Sequence, residues 1–504
     1  MTPLNAEDAY DELVRLKQEE ALLSSAAATL QWDAEIVMPK AGIEHRSKQM
    51  SMLAGLVHER ATNPKYGELL AVIESSGANA DPHSSEAVNV RELRRDYDRQ
   101  NRLPRKLVEE MARVTAIASQ VWAEARDKDD FAAFAPWLEK HFALAREKAD
   151  ALGFEADRYD ALLEDYEPGM TAEELTGLFE QLRSGLVPLV GAIRGLQSDE
   201  TSLSGAEFPL ERQREFSEGI AVELGFDLDC GRFDLGPHPF CTTIGPRDVR
   251  IALRYQRENL ASGFFAVLHE TGHAFYEQGL DASQYGLPMG EATSLGIHES
   301  QSRLWENFVG RSEGFWRRYY PRLQKQFPDA LDGVTLDRFR RSVNTVVPGL
   351  IRVQADEVTY NLHVIIRFEL ERALLSGDLP TADLPGAWSE LYSRYLGVKP
   401  EDDRSGCLQD IHWSEGLIGY FPTYSLGNVF AAQLFVAAER AIGPLEEAFE
   451  EGEFGTLRSW LRENIHGHGR RYRSAELIRA ATGSSPDPSA LIDSLSSRYG
   501  ANHA

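Results

Sequence analysis

The sequence predicts a mainly α fold with one small β-element, and three observations carry that prediction. Apolar residues recur at helical spacing over most of the chain, as in Tyr10, Leu13, Val14 and Leu16, with charged residues between them. The segment 235–255 breaks that rhythm: Gly236, Pro237, Pro239, Gly245 and Pro246 punctuate it, and Val249, Ile251 and Leu253 then alternate with Asp248, Arg250 and Arg254. At 504 residues the chain exceeds the usual size of a single core, which predicts several domains or one large two-lobed unit.

Gly, Pro, Ser and Asp cluster at 75–85, 195–209, 376–386, 399–406 and 483–488. None of these loops is long enough to separate domains, so residues 1–504 are read as one unit. No repeat of fixed period and no low-complexity tract is present.

Lys and Arg number 53 against 79 Asp and Glu, a net charge of -26 that opposes binding to nucleic acid or to anionic membranes. Three scattered cysteines, Cys230, Cys241 and Cys407, suit neither a disulfide framework nor a thiolate metal site and fit a reducing compartment. Residues 1–20 are charged and lack an apolar signal core, so a cytoplasmic location is expected. The apolar stretch 417–438 is interrupted by Gly419, Pro422, Gly427, Asn428 and Gln433, which predicts a buried segment instead of a membrane span.

The helix that carries chemistry is predicted at 261–277. Ala261, Phe264, Phe265, Leu268, Gly272 and Phe275 form its apolar stripe, and His269-Glu270-Thr271-Gly272-His273 runs along its flank. Residues four apart lie one above the other on a helix, so His269 and His273 can close on one ion while Glu270 projects beside it toward a water. That pattern predicts a zinc-type hydrolase.

A catalytic zinc needs a third protein ligand and an open position. Glu277 continues the series of four, but residues 269 to 277 span about 12 Å of helix axis, too far for three ligands of one ion. Glu291 and Glu299 both lie at plausible distance downstream, and the run Ile297-His298-Glu299-Ser300-Gln301-Ser302-Arg303 after Gly296 predicts a second helix. Spacing alone leaves both glutamates open.

His269-Glu270-Thr271-Gly272-His273 followed by His298-Glu299-Ser300-Gln301-Ser302 resembles the carboxypeptidase Taq family of metallocarboxypeptidases. Matching segments include His238-Pro239-Phe240, Asp248-Val249-Arg250, Ile351-Arg352-Val353-Gln354-Ala355-Asp356, Gly406-Cys407-Leu408-Gln409-Asp410-Ile411-His412-Trp413, and Gln31-Trp32-Asp33 with Met38-Pro39. The resemblance implies His269, His273 and Glu299 as metal ligands, Glu270 as the catalytic residue, a large helical two-lobed metallopeptidase fold with a deep central groove, and a homodimer. One position departs from the family's Asp-x-Arg-x-Thr pattern, with Ala252 where a hydroxyl is usual, and the expected consequence is a missing polar contact near the groove.

The activity the resemblance implies is removal of single amino acids from the C-termini of peptides with broad side-chain tolerance, with Glu270 moving the proton of the attacking water. Tyr424 and His412, then Tyr420, are the predicted donors to the developing oxyanion. An exopeptidase needs a cation for the free α-carboxylate. Arg352 is the leading candidate, with Asp356 at i+4 on one predicted helix as its competing partner, and Arg250 and Gln409 are secondary contacts. Zinc is the expected ion, with cobalt or manganese also suited to a His2Glu site. The alternatives carried forward are an oligopeptidase or dipeptidase of the same class, a non-catalytic scaffold holding a structural metal, and a di-iron bundle using Glu463 and His466.

Overall fold

The computed structural model describes residues 4–76, 81–193 and 205–500. Residues 77–80 and 195–204 of the predicted loops lie outside the described residues. The rest is mainly helical, as the periodicity predicts, with one three-stranded sheet.

Two long N-terminal helices, Ala6–Ile36 and Ile43–Ala61, pack on each other. The first joins Pro64–Ser75 and Ser85–Arg102 around a small core of Leu13, Tyr66, Leu70, Ile73 and Leu93. A much larger cluster runs from Ala118 to Leu495 and holds the remaining helices. The 417–438 stretch becomes the helix Pro422–Ile442, buried on most of its surface, and no described helix is long and apolar enough to cross a membrane.

The sheet begins earlier than the sequence pattern indicated. Its strands are β1 (Gly231–Leu235), β2 (Phe240–Gly245) and β3 (Asp248–Leu253), in the order β1-β3-β2. β3 runs parallel to β1 and antiparallel to β2. Alternation gives the sheet two unlike faces. Cys241, Thr243, Val249 and Ile251 share one, and Thr243 Oγ1 reaches across to Glu277 on the helix Leu260–Gly279. Phe240, Thr242, Arg250 and Ala252 share the other, where Trp32 of the first helix packs against Phe240 and Ala252.

A buried carboxylate anchors the second predicted helix, found at Leu295–Arg303. Ser294 caps its start by accepting from the Ile297 amide, and Glu167 Oε2 accepts from the Gly296 amide at 2.9 Å while Ser474 donates to Oε1. Burial pushes the Glu167 carboxyl up to about 7. The folded protein therefore keeps this proton at pH values where an unfolded chain has lost it. The resulting stabilisation is complete below about pH 4 and is lost as the pH rises through 7, at most about 3 kcal/mol in all. Glu167→Gln, a neutral side chain of the same shape whose single carbonyl oxygen keeps the bond from the Gly296 amide while its NH2 turns the Ser474 hydroxyl into an acceptor, is expected to flatten the fall in unfolding free energy between pH 5 and 8, measured by denaturant titration at each pH; an unchanged slope would refute the assignment.

Candidate active site

The motif helix Leu260–Gly279 starts where Asn259 caps the Ser262 amide, and it is driven into the core by Phe264, Phe265, Leu268 and Phe275. Each such side chain contributes roughly 1.5–3 kcal/mol on full burial. Phe264 alone packs against Phe216, Phe315 and Trp316. The helix crosses Leu295–Arg303 at backbone contact, because Gly272 faces the Gln301 carbonyl and Ser302 Cα: a Cβ there would lie 2.5 Å and 2.6 Å from them. Gly427 plays the same part for the helix Pro422–Ile442, where a Cβ would meet Glu299 Cγ at 2.4 Å. Two glycines thus set Glu299 against the histidines.

His269, His273 and Glu299 each offer a ligand atom within 4.8 Å of the others. Glu299 Oε2 lies 3.6 Å from His269 Nε2 and 3.4 Å from His273 Nε2. Ligands of a tetrahedral ion bound at 2.0–2.1 Å are about 3.3–3.4 Å apart, so the donor set and its spacing fit a zinc-sized cation. Among the described residues this is the one such cluster. Glu291, the spacing-level alternative, lies apart from it and pairs with Arg470. The di-iron arrangement does not form: Glu463 is exposed, and His466 is buried against Tyr276 with Nε2 on Gln301 Oε1.

Each of the three candidate ligands has an outer partner, and these the sequence reading missed. His269 Nδ1 meets Glu306 Oε2 at 2.9 Å. Glu306 sits in a π-helical turn, Leu304–Val309, that continues the second helix. Arg303 Nε donates to Glu299 Oε1 at 2.7 Å and its Nη1 to Glu306 Oε2 at 3.1 Å, leaving Glu299 Oε2 toward the histidines. His273 Nδ1 meets His298 Nδ1 at 2.6 Å, and His298 Nε2 meets Glu277 Oε1 at 2.8 Å. The signal for Glu277 was present: it follows His273 by one turn, too far along the axis for the ion yet placed to serve the ligand.

Glu270 is 7% exposed beside this cluster, and burial pushes its carboxyl up to about 7. A cation held by the three ligands acts in the opposite direction. The aromatic segment faces the same region. Tyr424 OH lies 3.0 Å from His412 Nε2, and Tyr420 packs edge-on against Tyr424 and on Tyr166. Burial, reinforced by nearby Arg352, lowers His412 to about 3, so its imidazole is neutral.

Arg352 is not on an α-helix with Asp356. It opens a single 3-10 turn, Arg352–Gln354. Asp356 spends its carboxylate on the amides of Val358, Thr359 and Val347, fixing the start of the helix Tyr360–Ser376. The guanidinium pairs instead with Asp410, donating from Nε at 3.1 Å and Nη2 at 2.8 Å, and Nη1 donates to Tyr360 OH. Asp410 is shared with Arg367. Gln409 is fully engaged: its Oε1 accepts from the Arg352 amide, and its Nε2 donates to the carbonyls of Leu350 and Ser405. It shapes the Arg352 turn.

Arg250 lies on the sheet face turned toward Trp32, away from the motif helix, and is held by Asp248 at 2.7 Å and 2.8 Å. Ala252 is on that same face, fully buried with Trp32 and Ile244. The departure from the family pattern therefore concerns packing beneath the first helix and not a polar contact with the groove.

Comparisons with known proteins identify the family. The model of the family described as carboxypeptidase Taq (M32) metallopeptidase matches residues 12–499. Thermostable carboxypeptidase 1 of Thermus thermophilus is 46% identical over 511 residues, covering 99% of both chains. Carboxypeptidase 1 of Bacillus subtilis is 37% identical over 94% of this chain and 95% of its own. The crystal structure of the M32 carboxypeptidase from Deinococcus radiodurans R1, 41% identical, superposes with a TM-score of 0.95 over 98% of this chain and 99% of that one. The chain belongs to the carboxypeptidase Taq (M32) family of metallopeptidases.

Proposed function

We propose that this metallocarboxypeptidase releases amino acids one at a time from the C-termini of peptides, with broad side-chain tolerance, using zinc held by His269, His273 and Glu299. The observation that carries the reading is the convergence of those three donors beside a buried Glu270. When bound, a divalent ion there polarises a peptide carbonyl and acidifies water. Cobalt or manganese suits the same donors.

Glu270 takes the proton of the attacking water and passes it to the leaving amine nitrogen. Neutral His412 lies with Nε2 3.0 Å from the Tyr424 oxygen; in the tautomer that carries its hydrogen on Nε2 it donates to that oxygen and turns the Tyr424 hydroxyl proton toward the oxyanion, and Tyr420 packs beside that pair. Arg352 receives the substrate's α-carboxylate. Of its five N–H groups, Asp410 and Tyr360 occupy three. The rest remain for a carboxylate.

The chain works as one two-lobed unit, since its site draws on residues from 269 to 424 within one core. A homodimer in the cytoplasm completes the reading. The second N-terminal helix, which buries none of its own residues and exposes Ile43 and Met52, supports an interface between copies.

The test is mass-spectrometric product analysis of one mixed-sequence peptide with zinc-reconstituted and chelated protein. A ladder of single C-terminal losses that disappears on chelation is expected. Internal cuts or dipeptide losses would transfer the assignment to the oligopeptidase reading.

A further inference from the structure

The two histidines of the motif helix are held in different ways. His269 donates directly to a carboxylate, Glu306. The Nδ1 side of His273 reaches a carboxylate through a second imidazole: it lies 2.6 Å from His298 Nδ1, and His298 Nε2 lies 2.8 Å from Glu277 Oε1. Glu277 Oε2 in turn accepts from Thr243 Oγ1 of β2 at 2.7 Å. Four side chains from three elements form one line ending at a metal ligand.

Only one proton arrangement satisfies this line once His273 offers its Nε2 lone pair to an ion. His273 Nδ1 must then carry hydrogen and donate, so His298 Nδ1 must accept. The hydrogen of His298 is thereby placed on Nε2, where Glu277 accepts it. Tyr276 packs on the His298 ring at 5.3 Å and restricts its rotation.

We propose that His298 and Glu277 are positioning residues acting in series: Glu277 fixes the tautomer and orientation of His298, and His298 fixes those of His273. Thr243 holds the outer end, so the sheet contributes to the metal site without supplying a ligand. The proposal rests on the ligand assignment of His269, His273 and Glu299. Outer partners of ligating histidines are commonly worth 10–100-fold in metal affinity, and a series arrangement adds a stricter requirement. Once His298 is gone, Glu277 has nothing left to act through.

The experiment measures zinc dissociation constants by competition with a chromophoric chelator, and the visible spectrum of the cobalt-loaded protein. Wild type is compared with His298→Phe, Glu277→Leu, Glu277→Gln and the double variant H298F/E277L. His298→Phe is expected to weaken zinc about 10–100-fold. Glu277→Leu is expected to weaken it by a smaller factor, about 10-fold, and to shift the cobalt bands. The double variant should match His298→Phe alone. Glu277→Gln, whose carbonyl still accepts from His298, should stay within about threefold of wild type and keep its spectrum.

Wild-type affinity in both His298→Phe and Glu277→Leu, or losses that multiply in the double variant, would overturn the relay. Absence of zinc binding by wild type would instead overturn the ligand assignment beneath it. Far-UV circular dichroism of each apo variant checks folding. If His298→Phe does not fold, the contrast between Glu277→Leu and Glu277→Gln decides alone: equal zinc affinity and equal spectra in that pair would overturn the relay.

Discussion

Replacing Glu270 with Gln is expected to cut kcat/KM on a free peptide by about 10²–10⁴-fold, the usual contribution of a positioned general base, while zinc stays bound and the fold persists. The side chain is 7% exposed and isosteric with its replacement, so little packing changes. What disappears is the capacity to take a proton from water. Steady-state kinetics with metal content measured on the same samples checks this. A variant that keeps more than a tenth of wild-type activity would remove Glu270 from the proton-transfer role.

The second large effect concerns the carboxylate end of the substrate. Arg352→Met is expected to lower kcat/KM on free-acid peptides by about 10²-fold, in line with roughly 1.5–3 kcal/mol for hydrogen bonds to charged groups. It should leave the low residual rate on the C-terminally amidated peptide unchanged. Asp410 keeps Arg367 as a partner, which limits the penalty of an abandoned charge. Parallel assays of the two peptides with wild type and variant decide the matter. If wild type cleaves the amide as well as the acid, Arg352 does not receive the carboxylate.

Residues close in sequence gave the clearest reading. The stripe through Phe264, Leu268 and Phe275 is local, and so is the pairing of His269 with His273, because one helical turn brings them together. The start of β1 was missed because Gly231–Leu235 is too short to establish a period, and its pairing with β3 depends on residues eighteen positions away. Arg352 shows the same limit: its partner Asp410 is 58 positions distant, and a nearby Asp356 looked sufficient. Glu277 and His298, 21 positions apart, meet only because two helices cross. Periodicity reports which face is buried, and it does not report what that face meets.

The glycine contacts at positions 272 and 427 have a further consequence for how the protein tolerates change. Main chain rests on main chain at the first crossing and on the Glu299 stem at the second, with no adjustable side chain from the glycine between them. Repacking of distant core residues can shift a helix by sliding it over flexible neighbours, but these crossings have no such slack. The spacing of His269, His273 and Glu299 is consequently decoupled from most of the hydrophobic interior, and sequence drift elsewhere in the chain can proceed while the tolerance at these three residues stays narrow.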